Sequence, residues 1–505
     1  MIERRAGLLL HPTSLPGPYG IGDLGEEAER FLDWAASAGA SIWQILPLGP
    51  PGPGNSPYSS ASAFAGNPLL LSPERLVQEG ILAEAELESP PRFSIRQVDF
   101  SAVASWKERL LRHSWNLFRQ RGSAELLSAS ASFAAAPEAA EWLADWTLYA
   151  ALKRRFGGSP WYEWRAELRG REPEALEAAR RELAEEIACQ RHLQFLFHRQ
   201  WSRLKQEANR RGLWILGDLP LYVALDSADV WSHRELFDLD DQGQPRHVAG
   251  VPPDYFSKTG QRWGNPLYRW DRIADQGYRW WIERVGHALR QVDFLRIDHF
   301  RGLAAYWEIP AEEPTAVRGR WRPGPGVSFF EALRRELREL PIVAEDLGII
   351  TDDVRELRKS VGLPGMKVLQ FAFGSDDSDH LPGRFGPDHV LYTGTHDNDT
   401  TVGWFEVLGE EERTRVLRYL GKSAADSRIA EEIHWEMMRA ALESEASLAV
   451  LPVQDVLGLG SEARMNNPST PEGNWAWRAA PGSFRPELAR RLKELIVKSG
   501  REKSR

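Results

Sequence analysis

The hydrophobic pattern along the chain switches repeatedly between two periods. Short apolar runs recur at 7–11 (GLLLH), 42–48 (IWQILPL), 213–223 (LWILGDLPLYV), 292–300 (VDFLRIDHF), 341–347 (PIVAEDL), 366–373 (MKVLQFAF), 390–397 (VLYTGTHD) and 447–455 (SLAVLPVQD). Runs of this length, rich in β-branched and aromatic residues, predict buried strands. Apolar residues at helical spacing predict helices over 24–38, stopped by Gly39, over 278–289, and over 486–498. Strands alternating with helices predict a parallel sheet, and eight such units predict a closed α/β barrel, the (β/α)8 or TIM arrangement. No alternating all-β segment follows the last helix, so no C-terminal β-sandwich is expected. The tail, 500–505, is expected to fray.

Two stretches break the alternation. From 72 to 211 Ala, Glu, Leu and Arg dominate, with no clear strand and helices predicted over 107–120, 138–156 and 173–208. We read this as a mainly helical insertion after the second strand, with its own packing and little chemistry. Its charge runs, such as RRELAEE at 180–186, read as solvated helix faces. The second stretch, 224–290, follows the third strand. Within it 230–270 shows no clear regular structure, yet it is rich in aromatics (GVPPDYFSKTGQRWGNPLY at 250–268). A structureless segment of this length is usually functional or disordered, and its aromatic content argues against disorder. It is expected to be a substrate-binding insertion, with residues 1–505 forming one catalytic barrel domain. The Pro/Gly-dense loop after the second strand, carrying NSPY at 55–58, is likewise expected to line a site.

Composition narrows the function classes. Apolar residues make up 42% and charged residues 27% of the chain, as in an ordinary globular protein. The net charge of −9 and the lack of a basic stripe argue against a nucleic-acid partner. The one cysteine, Cys189, excludes an intramolecular disulfide and a Cys-rich metal site. The three leucines of 8–10 are too short for a signal-peptide core, and no run is long enough to span a membrane. A cytoplasmic protein, monomeric or weakly self-associating, is expected. The 21 tryptophans are a heavy load; core packing can take them up, but exposed Trp and Tyr can also stack on the apolar faces of ligands, including sugars.

The chemistry lies in the acids. Asp218, Asp298, Glu345 and Asp397 each fall at or near the C-terminal end of a predicted strand. In a barrel those ends converge on one mouth. Arg296 and Asp298, two apart on a strand, share a face. A guanidinium there would keep the carboxylate ionised and ready as a nucleophile, or the two are a structural ion pair. Four acids at one mouth repel one another unless a cation or a reaction needs them. A hard metal would suit them, and His11, His299 and His396 could join such a set. But the chain has no HxH pair or HExxH motif, and Arg296 beside the central Asp opposes a cation. Glycoside chemistry needs clustered acids and also accounts for the aromatic loops. No metal and no cofactor are expected.

RIDHF at 296–300, AEDLG at 344–348 and GTHDNDTT at 394–401 resemble the signature strands of the α-amylase clan. HPTSLPGPYGIGDLG at 11–25, GNSPYSSASAFAGNP at 54–68, GVPPDYFSKTGQRWGNPLYRWD at 250–271 and GLPGMKVLQFAF at 362–373 more narrowly resemble the 4-α-glucanotransferases of glycoside hydrolase family 77. The resemblance runs from about 7 to about 478 and is weakest over 75–200. It implies transfer of α-1,4-glucan segments between maltooligosaccharides, or glucans derived from starch or glycogen, by retaining double displacement. The rivals are an α-amylase-like hydrolase and a noncatalytic glucan-binding barrel. Position by position, it implies Asp298 as nucleophile, Glu345 as general acid and then base, and Asp397 as transition-state stabiliser. Asp218, Arg296, His299 and His396 would complete the first subsite, with Tyr58 stacking on the sugar beside Ser56. Tyr255, Phe256 and Trp263 would hold the glucan, and Gln261, Asn265 and Asn466 are further candidates. The chain departs from the family pattern at RMNNPS, 464–469, where Ser469 stands in place of a glycine.

Overall fold

The computed structural model describes residues 3–87, 90–253, 257–423, 428–468, 470 and 472–502. Twelve strands are found among them: β1 (Arg5–Leu9), β2 (Ile42–Gln44), β3 (Trp214–Leu219), β4 (His247–Val251), β5 (Gln261–Pro266), β6 (Phe294–Ile297), β7 (Ala305–Pro310), β8 (Arg320–Pro323), β9 (Ile342–Ala344), β10 (Gly365–Val368), β11 (His389–Tyr392) and β12 (Leu448–Pro452). Each of the eight runs expected as strands contains one, although the run over 366–373 continues from β10 into a 3-10 turn over Leu369–Phe373. They form one parallel sheet in the order β10-β11-β12-β1-β2-β3-β6-β9. Its two ends meet where the Ala344 N–H donates to the Pro364 carbonyl at 2.9 Å. That bond closes the sheet into a barrel.

Alternation along the strands builds two cores. Leu9, Ile42, Leu216, Val343, Val368, Val390, Tyr392 and Val450 fill the interior. Their neighbours Leu8, Ile215, Leu295, Ile297, Ala344 and Leu451 face the helices. On β6 the same alternation puts Phe294 on the interior side, so Arg296 and Asp298 follow it there. The helices Glu26–Ser37, Arg279–Gln291 and Pro486–Lys498 lie near their expected positions.

Four expectations change. The 72–211 insertion is helical, with Phe100–Arg121, Ala124–Ala135, Pro137–Arg155, Pro173–Glu182 and Ala184–Arg210, the expected helix over 173–208 being interrupted at Leu183. It does not pack separately, however. Trp146, Leu196 and Trp201 belong to the same buried cluster as Ile215 and Val285, because the helices turn their apolar faces onto the barrel wall. Gln194 and Gln200 add polar ties: each side-chain amide accepts from and donates to the backbone of one loop residue, Gly66 and Ser72 respectively. The stretch over 230–270 is not irregular. Its β4 and β5 join β7 and β8 in an antiparallel sheet of order β5-β4-β7-β8. Finally, Arg501 does not fray: it is fully buried, and its guanidinium donates to the carbonyls of Arg5, Leu442, Ser444, Ala446 and Ser447. No helix among the described residues is long and apolar enough to cross a membrane.

Candidate active site

The four acids meet at the C-terminal mouth of the barrel. Asp218 on β3 and Arg296 on β6 are direct partners in the ladder. Arg296 Nη1 donates to Asp218 Oδ2 at 2.6 Å, and Nη2 to Asp298 Oδ1 at 2.7 Å. The guanidinium is thus a bidentate bridge between two carboxylates, and its Nε points at Met366 Sδ, 3.4 Å away. Burial works against its charge, but Asp218 and Asp298 outweigh that and hold it protonated well above the ordinary range. Asp218 is pushed up by burial, against the pull of Arg296.

Glu345 follows β9 directly. Its Oε2 accepts the His299 N–H at 2.6 Å and its Oε1 the Leu347 N–H at 2.9 Å. It is therefore tied to the residue after Asp298. Burial first, and then the Asp298 charge, raise its pKa to about 8, although Arg296 and the two N–H bonds pull it down. His299 has φ of 52°, a left-handed conformation that costs a non-glycine residue about 1–3 kcal/mol and is held by its surroundings. That turn is what presents its N–H to Glu345. Burial lowers its imidazole to about 4, so the ring is neutral near pH 7. It packs edge-on against Trp263, with centroids 4.8 Å apart.

Asp397 is the most open of the acids, its side chain 48% exposed. Asn466 Nδ2 donates to its Oδ1 at 2.6 Å, and Arg464 Nη2 to its carbonyl at 2.6 Å. Asn466 therefore takes its place at the site; Ser469, the departure from the family pattern, lies outside the described residues. Tyr58 donates to Asp218 Oδ2 at 2.6 Å and stacks on His396 at 4.8 Å between centroids, with Trp475 at 5.9 Å. Ser56 Oγ accepts the Tyr58 N–H and steadies that turn. His11, at the end of β1, is buried and lowered to about 3 by burial and then by His396.

The loop candidates divide. Trp263 and Gln261 stand on β5 beside the mouth, exposed and bonded to each other. Asn265 instead donates to the Val223 carbonyl at 2.9 Å, which anchors the small sheet to the loop after β3. Tyr255 and Phe256 lie outside the described residues. Among the described residues no three His, Cys, Asp or Glu side chains are grouped to hold a metal. Sequence reasoning passed over Met366, Arg464 and Trp475. Arg464 had a signal, since it begins the RMNNPS motif; Met366 sits in a run that reads only as core.

Among the buried polar atoms of the described residues that have no protein partner are Asp218 Oδ1 and His299 Nε2. Left so, each costs about 1–3 kcal/mol, and each is free to bond a ligand hydroxyl. A half-buried carboxylate held by Arg296, a carboxylic acid kept protonated near neutrality, and the rings of Tyr58 and Trp263 at the same mouth define a barrel enzyme built for glycosidic bonds.

Comparison with known proteins agrees. A family model described as 4-alpha-glucanotransferase, glycoside hydrolase family 77, matches residues 10–483. The 4-alpha-glucanotransferase of Thermus thermophilus is 51% identical over 498 residues, covering 98% of both chains. That of Synechocystis is 47% identical, covering 99% of both. A solved amylomaltase from Streptococcus agalactiae, in complex with acarbose, superposes with a TM-score of 0.94 at 35% identity, covering 99% of this chain and 100% of that one. The chain belongs to the glycoside hydrolase family 77 4-alpha-glucanotransferases.

Proposed function

We propose that the chain transfers α-1,4-glucan segments from a donor maltooligosaccharide to the 4-hydroxyl of a second glucan or of glucose, in two displacements through an ester at Asp298. In the first, protonated Glu345 gives its proton to the glycosidic oxygen as the C1–O bond breaks. An Asp298 oxygen bonds to C1, and the reducing-side fragment leaves as an alcohol. In the second, the acceptor's 4-hydroxyl attacks C1, its proton passes to Glu345, and the ester bond breaks to restore the Asp298 carboxylate. Retention needs the two carboxyls about 5–5.5 Å apart, and the His299 N–H that Glu345 accepts supports such closeness. Asp397 would bind sugar hydroxyls, joined by Asp218, His299 and His396, while Tyr58 and Trp263 would offer rings to the sugar faces.

One observation carries this reading: Glu345, buried and with its pKa pushed up to about 8, accepts the N–H of the residue next to Asp298, which Arg296 holds. The first step requires an acid that still holds its proton next to a second carboxyl fixed in place. We assign transfer over hydrolysis on family membership, with the β5 rim giving an acceptor glucan apolar and polar contacts that water cannot use. Incubation with maltotriose tests it. A ladder of longer maltooligosaccharides plus glucose is expected, while maltose and glucose alone would mean hydrolysis. Asp298→Asn should lower kcat by on the order of 10^4; a variant as fast as the parent would remove Asp298 from the chemistry.

A further inference from the structure

Glu345 projects from the tip of β9, the strand at the weakest place in the barrel. On one side β9 pairs with β6 over three residues. On the other, towards β10, no ladder is formed, and the single backbone bond is that of Ala344 to Pro364. In a regular parallel ladder that bond would be followed by one from the Met366 N–H to the Ala344 carbonyl. The Met366 N–H instead donates to a side chain, Asp346 Oδ1, at 2.7 Å.

Asp346 is the residue after Glu345, and its carboxylate lies between the β10 backbone and Arg358. Its side chain is only 8% exposed, and its second oxygen lies 3.1 Å from Arg358 Nε. Arg358, on the helix Asp352–Ser360, in turn donates to the carbonyls of Leu363 and Asp388. The space is cut to fit: a Cβ on Gly365 would stand 2.6 Å from the Asp346 carboxylate. The same latch fixes Met366, whose sulfur meets Arg296. The charged groups facing Asp346 are Arg358 and Lys367, and those facing Glu345 are Asp298 and Arg296.

We propose that Asp346, backed by Arg358, is a positioning residue for the transfer reaction: its carboxylate stands in for the missing ladder between β9 and β10 and fixes the backbone from which Glu345 reaches the glycosidic oxygen. This rests on Glu345 being the acid and base. A brace of this kind acts on the chemical step, because a displacement of about 1 Å at a reacting group costs about a hundredfold in rate.

The test is steady-state transfer on a maltooligosaccharide as a function of pH, with thermal unfolding measured in parallel. Asp346→Ala should lower kcat about a hundredfold with KM changed less than about twofold, and should move the alkaline limb of the profile down by about one pH unit or more. Asp346→Asn keeps an acceptor for the Met366 N–H and should recover most of the lost rate. A folded Asp346→Ala with the parent's kcat and alkaline limb, whatever its melting temperature, would overturn the proposal. If that variant does not fold, Gly365→Ala, which crowds the carboxylate, is read by the same two outcomes. Glu345→Gln run alongside separates the failures: if it is as fast as the parent, Glu345 is not the acid, whereas a slow Glu345→Gln beside an unaffected Asp346→Ala removes only the brace.

Discussion

The energetics of the site concentrate on Glu345, and they set function against stability. Its pKa of about 8 has two consequences with definite signs. In its proposed role as the acid of the first step it would have to be protonated, so transfer should be sustained below about pH 8 and fall as pH rises through it. For folding, a carboxyl raised above its unfolded value of about 4.3 stabilises the native state fully below that value, and the contribution is lost as pH rises through about 8. Glu345→Gln should therefore lose about 10^2–10^4 in kcat. Its melting temperature relative to the parent should climb between pH 6 and pH 9, because the parent must then bury an anion and the variant need not. An unchanged difference across that range would mean that Glu345 titrates as an ordinary surface acid. The pairing of Asp298 with Arg296 was legible in the sequence for a simple reason: a spacing of two on a strand forces one face, and opposite charges on that face pair. The left-handed turn at His299 was not legible, since nothing local requires it and the surrounding packing imposes it.

Among the elements, those whose burial is two-sided were legible and those on the rim were not. Every barrel strand carries a run of apolar residues because both its faces are covered. Strand β5 reads QRWGNP and has three exposed residues at its start, and β8 is exposed throughout. Such strands are held by backbone pairing to β4 and β7 rather than by a hydrophobic face, so no period of two appears in their sequence. The small sheet nonetheless sets the mouth's outer wall, through Asn265 on Val223 and Trp263 on His299. An edge-to-face pair of this kind contributes about 0.5–1.5 kcal/mol. If the rim favours a sugar acceptor over water, Trp263→Ala should raise the share of hydrolysis over transfer by about two- to tenfold, with Asp298 and Glu345 untouched. Reducing-sugar release against oligosaccharide laddering measures that ratio, and an unaltered ratio would reduce Trp263 to a cover for the imidazole.

At the scale of the whole molecule the two ends of the barrel have separate tasks, as parallel barrels in general do. The four acids lie at the C-terminal mouth with Tyr58, Trp263 and the unpartnered Asp218 Oδ1 and His299 Nε2. The other end carries a device of the opposite kind, a cation with no carboxylate partner among the described residues. Arg501 closes the N-terminal rim by donating to five backbone carbonyls, Arg5 on β1, Ser447 just before β12, and Leu442, Ser444 and Ala446 around the end of the helix Ile429–Glu443. The sequence hid this because an arginine near a polar terminus looks solvated, and only the fold brings the carbonyls to it. Removing the guanidinium leaves several buried acceptors unpaired at about 1–3 kcal/mol each. Relaxation and entering water recover part of that, so Arg501→Ala should destabilise the protein by about 3–5 kcal/mol. Since Arg501 reaches only the rim opposite the mouth, the folded fraction should keep the parent's KM and alkaline limb. Denaturant unfolding together with a pH–rate profile on the same preparation tests both halves. Unchanged stability would show that water already serves those carbonyls, and a shifted alkaline limb would show that the two ends of the barrel are mechanically coupled.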